Sequence, residues 1–398
     1  MAISTTSASP SLDQLLATAS HLGALGEKYA AQTEAARQLH PEVAHALLES
    51  GLVNMLQPAR FGGYETSFSD YAQVIRHLGS FDLSTAWVSG ILSIHHYWGG
   101  LVSPELQDEL WGKNPETIFT DSFMPAGKAQ PVPGGLRLSG RWSWLSGTPF
   151  ASWVAVGAIA PYEAGAEPEY MMLFLPKDSY TVIDDWYTMG LRGSSSVSVE
   201  ATEVFVPYHR VFRLGRGMQT NEYPGQAVNP GGLFQIPFVP ALALALVAPG
   251  LGGAQGMLQR FRTRAASRIP VFSGQRQAEF ALSQTTLAET TVEIDMADGL
   301  LKRYAAELDA CAAGQATLNE SDRMRLFAWR SIISKRSREA SQQLMDFAGA
   351  GASFEHEPMQ RFYRDMYMMG QHIALNFETA MRNYGRNLLG LPPDSVLY

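Results

Sequence analysis

"GRWSWLSGTPFASW", residues 140–153, is the stretch on which the fold turns. It reads as a strand entering a tight Gly/Pro turn, with Trp142, Trp144 and Trp153 around a Ser146–Gly147 step. Two readings fit it. Large aromatic walls beside a small hydroxyl form a slot for a flat conjugated ring, with the Ser146 hydroxyl bonded to a ring nitrogen. Alternatively the tryptophans fill a β core, and Ser146 merely satisfies a turn.

On either side lie other short β-forming runs: "TIFTDSFMPAGKAQPVPGGLRLSG", "SWVAVGAIA", "YMMLFLP" and "VEATEVFVP". Broken by Gly, Pro and Asp, they predict a compact antiparallel sheet or barrel. Both flanks are helical in pattern. Upstream, "PEVAHALLESGLVNML" and "FSDYAQVIRHLGSFDLSTAWVSGILSIHHYW" space apolar residues by three and four. Downstream, four long segments are predicted at 240–266, 275–312, 319–348 and 358–389, lengths that suit an antiparallel bundle. The expected fold class is α+β, mostly α: an N-terminal helical domain (1–115), a central antiparallel β-barrel (116–225) and a C-terminal four-helix bundle (226–398).

Composition narrows the function. With 46% hydrophobic residues the chain has material for a sizeable core. A net charge of -8, 17% charged residues and no basic run argue against nucleic acid. The single Cys311 excludes an internal disulfide and a multi-cysteine metal site, and fits a reducing compartment. The first residues lack a signal-peptide pattern, and "IPFVPALALALVAPGLGG", interrupted by prolines, reads as a core helix rather than a membrane span. A soluble cytoplasmic protein is expected. Walker, G-x-G-x-x-G, H-E-x-x-H and G-x-S-x-G patterns are missing. The glycines of "APGLGGAQG" are better explained by helix packing, and no metal site is expected. His95 and His96 cannot chelate together, because helix neighbours point about 100° apart.

Three further segments carry candidate chemistry. "LRGSSS" offers Arg192 with Ser194, Ser195 and Ser196, either a site for phosphate or a polar cofactor edge, or a flexible turn. "SIHHYWGG" sets His95 and His96 beside Tyr97 and Trp98, either an aromatic substrate pocket or buried core. "PMQRFYRDMYMMGQHIAL" places His372 in an apolar, Met-rich helical run, as a site residue or as a core histidine.

Together and in this order, "LHPEVAHALLESGL", "STAWVSGILSIHHYW", "GRWSWLSGTPFASW", "WYTMGLRGSSS", "VFVPYHR" and "EPMQRFYRDMYMMGQHIAL" resemble the acyl-CoA dehydrogenase fold. In particular they resemble its reduced-flavin-dependent monooxygenases of two-component systems, such as 4-hydroxyphenylacetate-type, steroid-ring phenol and actinorhodin-type polyketide hydroxylases. The resemblance implies a flavoprotein oxidoreductase that takes FMNH2 or FADH2 from a separate NAD(P)H flavin reductase. With O2, and through a C4a-hydroperoxyflavin, it would hydroxylate an aromatic small molecule. It also implies a homotetramer.

By the same resemblance Ser146, after Trp144 and Leu145, lies at the flavin N5 edge, and His372 replaces the dehydrogenase glutamate as a neutral donor. Glu378 lies too far along the chain to serve as that base. His95 falls where the family contacts the substrate hydroxyl, with His96, Tyr97, Trp98 and Met368 as further substrate candidates. Met366 and Met369 are expected to help line the apolar pocket. Trp144, Arg192, Ser194, Ser196, Arg268 and Phe272 are the cofactor candidates, although "RIPVF" is one residue off the family spacing and Ser195 replaces a glycine. The alternatives are N- or S-oxygenation on the same scaffold and, less favoured, acyl-CoA dehydrogenation.

Overall fold

The computed structural model describes residues 9–395. Five helices come first: α1 (Leu12–Ala36), α2 (Pro41–Glu49), α3 (Phe68–Gly79), α4 (Leu83–Gly99) and α5 (Pro104–Trp111). Their starts follow local chemistry. Ser11 and Gln14 form a capping box on α1, Asp82 accepts the Thr85 N–H at 2.8 Å on α4, and Pro41 and Pro104 open α2 and α5. Every residue of α4 is buried, so this helix is the spine around which the other layers pack.

Seven strands follow: β1 (Phe119–Val132), β2 (Gly135–Leu145), β3 (Trp153–Pro161), β4 (Pro168–Pro176), β5 (Thr181–Ile183), β6 (Val197–Pro207) and β7 (Val211–Phe212). They make one sheet in the order β5-β6-β2-β1-β3-β4-β7. The expected antiparallel barrel is corrected on two points. β1 and β3 run parallel, and the sheet stays open, with β5 and β7 at its edges. The cause lies in β1, which serves two partners: residues 119–127 pair with β3 and residues 128–132 with β2, around an irregularity between Ser122 and Gly127. Residues from both parts of the sheet, including Leu138, Trp142, Val156, Leu173 and Val199, share a compact apolar core.

The remaining helices are α6 (Leu214–Thr220), α7 (Phe238–Leu242), α8 (Leu244–Ser267), α9 (Ala281–Ala312), α10 (Glu320–Ala348), α11 (Pro358–Met369) and α12 (Phe377–Leu388). α10 packs against α8, α9 and α12, and α3 packs on α8. One apolar core runs from Leu15 to Leu375 and joins the helices that precede and follow the sheet in the chain. The segment predicted as one helix over 358–389 is two helices. Gly370 follows α11, the His372 side chain accepts the Ala374 N–H, and Asn376 caps α12 by accepting the Thr379 N–H at 2.9 Å. These capping bonds offer the backbone partners that a continuous helix would have supplied.

Phe238–Ser267 does reach the length and hydropathy of a membrane span, contrary to the sequence reading, but 78% of its apolar window is buried inside the protein. Its glycines mark close helix contact. A Cβ on Gly252 would lie 1.9 Å from the Arg76 carbonyl oxygen, and one on Gly79 would lie 2.4 Å from that of Pro249. Gly252→Ala is therefore expected to cost about 1–3 kcal/mol in urea denaturation. Gly250→Ala, whose Cβ would meet only the Met369 methyl at 3.4 Å, is expected to cost clearly less. Equal losses would remove the backbone-contact explanation.

Candidate active site

Ser146 sits where β2 turns over. Trp144 has a φ of +75°, rare for a bulky residue, at an irregularity in the pairing of β2 with β6 between Trp142 and Leu145. That twist buries Trp142 and Leu145 and leaves the Trp144 indole 56% exposed, edge-on to Trp186 with ring centroids 5.4 Å apart. Gly147, at φ +74°, completes the turn and donates its N–H to the Ser194 carbonyl at 2.9 Å, while Thr120 Oγ1 donates to the Ser146 carbonyl. The Ser146 hydroxyl is buried. It accepts from Trp87 Nε1 at 2.9 Å and lies 2.7 Å from Ser196 Oγ, which lies 2.7 Å from Ser194 Oγ.

His372 lies near the indole that bonds this hydroxyl. Its ring centroid is 6.5 Å from that of Trp87, the indole that donates to Ser146. Nδ1 accepts the Ala374 N–H at 3.2 Å, so a neutral ring carries its proton on Nε2. Enclosure by protein, then the Arg330 guanidinium, lower its pKa to about 4 against a smaller upward pull from Asp121. The residue is nevertheless exposed at the surface, with protein enclosing it on its other sides. The depressed pKa leaves an uncharged N–H donor at neutral pH. Arg330, buried in α10, donates from Nε to the Ala374 carbonyl at 2.8 Å and so holds the turn that carries His372.

The histidine pair divides. His95 is buried with both nitrogens facing acceptors, Nδ1 at the Phe119 carbonyl and Nε2 at Asp121 Oδ2, each at 3.0 Å. Asp121 also accepts from Trp98 Nε1 at 3.0 Å. His96 points into the core against Trp111, and burial followed by His95 lowers its pKa to about 3. Tyr97 stacks on Phe234, and Trp98 is packed among Phe119, Phe174 and Phe212. His96, Tyr97 and Trp98 present no accessible surface, so their expected contact with substrate is withdrawn. Their sides of α4 are taken up by helices and sheet.

Arg192 donates to the Glu34 and Thr188 carbonyls, anchoring its loop to the end of α1. Leu191 in that loop has φ +50° and donates its N–H to the buried Asp365 at 2.6 Å. Burial, with Asp82 nearby, pushes the Asp365 carboxyl up to about 7 against the downward pull of that N–H. Met366 and Met369 are buried near Gly253 and Gly250 of α8, and Met368 is half-buried. Arg268 is bonded to Gln277, and Phe272 is fully exposed. Glu378 lies exposed in the first turn of α12.

The structure thus brings Ser146, Ser194 and Ser196 together with Trp87 and sets His372 near that indole, while Trp144, two residues before Ser146, packs on Trp186. Trp87, Asp121 and Arg330 are residues the sequence reading missed. Trp87 had a signal, since Trp87, Ile91 and His95 repeat every four residues on one face of α4. Arg330 had none, because its partner is 44 residues away. A buried hydroxyl bonded to the Trp87 indole, with a neutral N–H donor near that indole, suits the polar edge of a flat conjugated ring.

Known proteins carry the same build. Residues 244–377 match the family described as acyl-CoA dehydrogenase, C-terminal domain. The chain is 31% identical over 372 residues to the oxygenase component of an FADH(2)-dependent resorcinol hydroxylase from Rhizobium sp. (strain MTP-10005), covering 92% of this chain and 91% of that protein. The HsaA monooxygenase of M. tuberculosis superposes with a TM-score of 0.91 at 29% identity, covering 98% of this chain and all (100%) of the other. XiaF from Streptomyces sp., in complex with FADH2 and glycerol, superposes with a TM-score of 0.90 at 26% identity over 96% of this chain and 97% of the other.

Two outcomes are expected from titration. By NMR, His372 should take up its proton only as pH falls towards about 4, and Arg330→Gln should raise that midpoint, because removing a nearby cation favours imidazolium. An unchanged midpoint would remove Arg330 from the site. Asp365 binds its proton more tightly folded than unfolded, so it adds stability at low pH that is lost as pH rises through about 7. Asp365→Asn keeps an acceptor for Leu191 and should flatten urea stability between about pH 4 and 7; an unaltered slope would assign it to other groups.

Proposed function

We propose a function from one premise: this chain belongs to the oxygenase components of two-component flavin-dependent monooxygenases, which share the acyl-CoA dehydrogenase fold. It takes reduced flavin, FMNH2 or FADH2, from a separate NAD(P)H-dependent reductase and uses dioxygen to hydroxylate an aromatic small molecule. The observation that carries the reading is that Trp87 bonds the Ser146 hydroxyl and lies near the His372 ring.

These residues fit a reduced flavin. Trp144 offers an apolar face, and Ser146 Oγ keeps one lone pair for the N5 proton. Bound there, reduced flavin and dioxygen together supply an electrophilic oxygen for transfer to an electron-rich carbon. His372 donates from Nε2 without adding charge, because enclosure and then Arg330 disfavour its protonation. Trp87, itself nearly buried and bonded to Ser146, limits water around that hydroxyl. For His95 the ring contacts favour a positioning role, holding Asp121 and Phe119, over direct contact with a phenol. Met368 remains the candidate on the substrate side.

A homotetramer completes the reading. α9 shows solvent an apolar stripe of Leu282, Val292 and Met296, and a shallow groove runs along it between Gln284 and Glu293. Val271 and Phe272 protrude from the loop after α8. A neighbouring copy would cover both surfaces and bring Phe272, with Arg268 behind it, towards that copy's flavin.

The test is anaerobic mixing with FMNH2 or FADH2, then with oxygenated buffer and a panel of phenols. A hydroxylated product is expected. His372→Ala should lower product per O2 about tenfold and raise hydrogen peroxide, with reduced-flavin binding retained. Turnover of acyl-CoA with an electron-accepting dye, and no hydroxylation, would overturn the reading.

A further inference from the structure

The hydroxyls behind Ser146 form a chain with fixed ends. At one end the Trp87 indole N–H can only donate, and it donates to Ser146 Oγ at 2.9 Å. At the other end the Leu191 carbonyl can only accept, and it receives the Ser194 hydroxyl at 2.8 Å. Each serine has one proton. With the Ser194 proton given to Leu191, the 2.7 Å contact between Ser194 and Ser196 must use the Ser196 proton. The 2.7 Å contact between Ser196 and Ser146 must then use the Ser146 proton. All three hydroxyls are buried, so water does not readily supply substitutes.

We propose that Trp87, Ser196 and Ser194 are positioning residues that turn the Ser146 hydroxyl proton away from the ligand and make Ser146 an acceptor only, so that the site selects reduced over oxidised flavin. This rests on the flavin reading above. Reduced flavin carries a proton on N5 and can donate to the spare lone pair of Ser146. Oxidised flavin has a lone pair on N5 and would face it with another. Reversing the chain requires the Ser194 hydroxyl to give up its 2.8 Å bond to the Leu191 carbonyl, which also accepts from Trp186 Nε1 and from the Ser194 N–H, each at 3.0 Å. Selection is thus set one and two side chains behind the hydroxyl that would face flavin, in the loop whose serines the sequence reading assigns to direct cofactor contact.

The test measures binding rather than turnover. Dissociation constants for oxidised FAD and, anaerobically, for FADH2 are determined for the full chain and its variants. Wild type should bind FADH2 more tightly. Ser196→Ala removes the acceptor of the Ser146 proton, which can then turn to an oxidised N5. The ratio of oxidised to reduced dissociation constants should fall about tenfold, mainly by tighter binding of FAD. Ser194→Ala should shift it in the same direction, and Ser196→Thr, which keeps a hydroxyl, should restore it. A merely structural role would weaken both forms together. An unchanged ratio with both forms still bound would overturn the inference and leave the flavin reading standing. Failure of wild type to bind either form would remove both.

Discussion

The bond from the Trp87 indole to Ser146 Oγ, 2.9 Å long, is the joint on which the site depends. It links α4, buried along its whole length, to the turn at the end of β2. Neither side yields readily. α4 is packed by helices and sheet, and the turn is gripped through Gly147 and Thr120. The hydroxyl is therefore fixed before any ligand arrives, which is the condition for an oriented hydrogen bond to discriminate between ligands. His372 takes its place relative to the same indole.

Charge is held one step back from this joint. Arg330 acts through the Ala374 carbonyl and through its field on His372. Asp365 acts through Leu191, and Asp121 is engaged by His95 and Trp98. What remains around the Trp87 indole is a hydroxyl and an uncharged imidazole. In a partly enclosed site such dipoles interact more strongly than in water, and they bring no net charge that would repel or trap an electron-rich ring.

Much of this was legible in the sequence. Helix and strand types followed from periodicity, α8 from its apolar run, and close helix packing from the glycines of "APGLGGAQG", though not that α3 is the partner. The parallel pairing of β1 with β3 was not, because it depends on β1 changing partner midway, and no local signal encodes that change. The break at 370–376 was punctuated by Gly370 and Asn376, but the Met-rich run before it read as continuous helix. Within the site, Ser146, Trp144 and His372 could be picked out by resemblance. His96 and Tyr97 were over-read: consecutive helix residues diverge by about 100°, so four in a row cannot all face one cleft. Trp87 lay in a quoted motif, and only its four-residue spacing to Ile91 and His95 marked it. For the serines of "LRGSSS" the sequence supplied the donors but not their direction, which depends on Trp87 and Leu191 at the two ends.

A crystal structure of the full chain with reduced flavin, prepared without oxygen, bears on this most directly. The flavin N5 is expected about 3 Å from Ser146 Oγ, with the ring against Trp144 and His372 Nε2 turned towards it. A flavin seated elsewhere, or one whose N5 edge faces away from Ser146, would contradict the account.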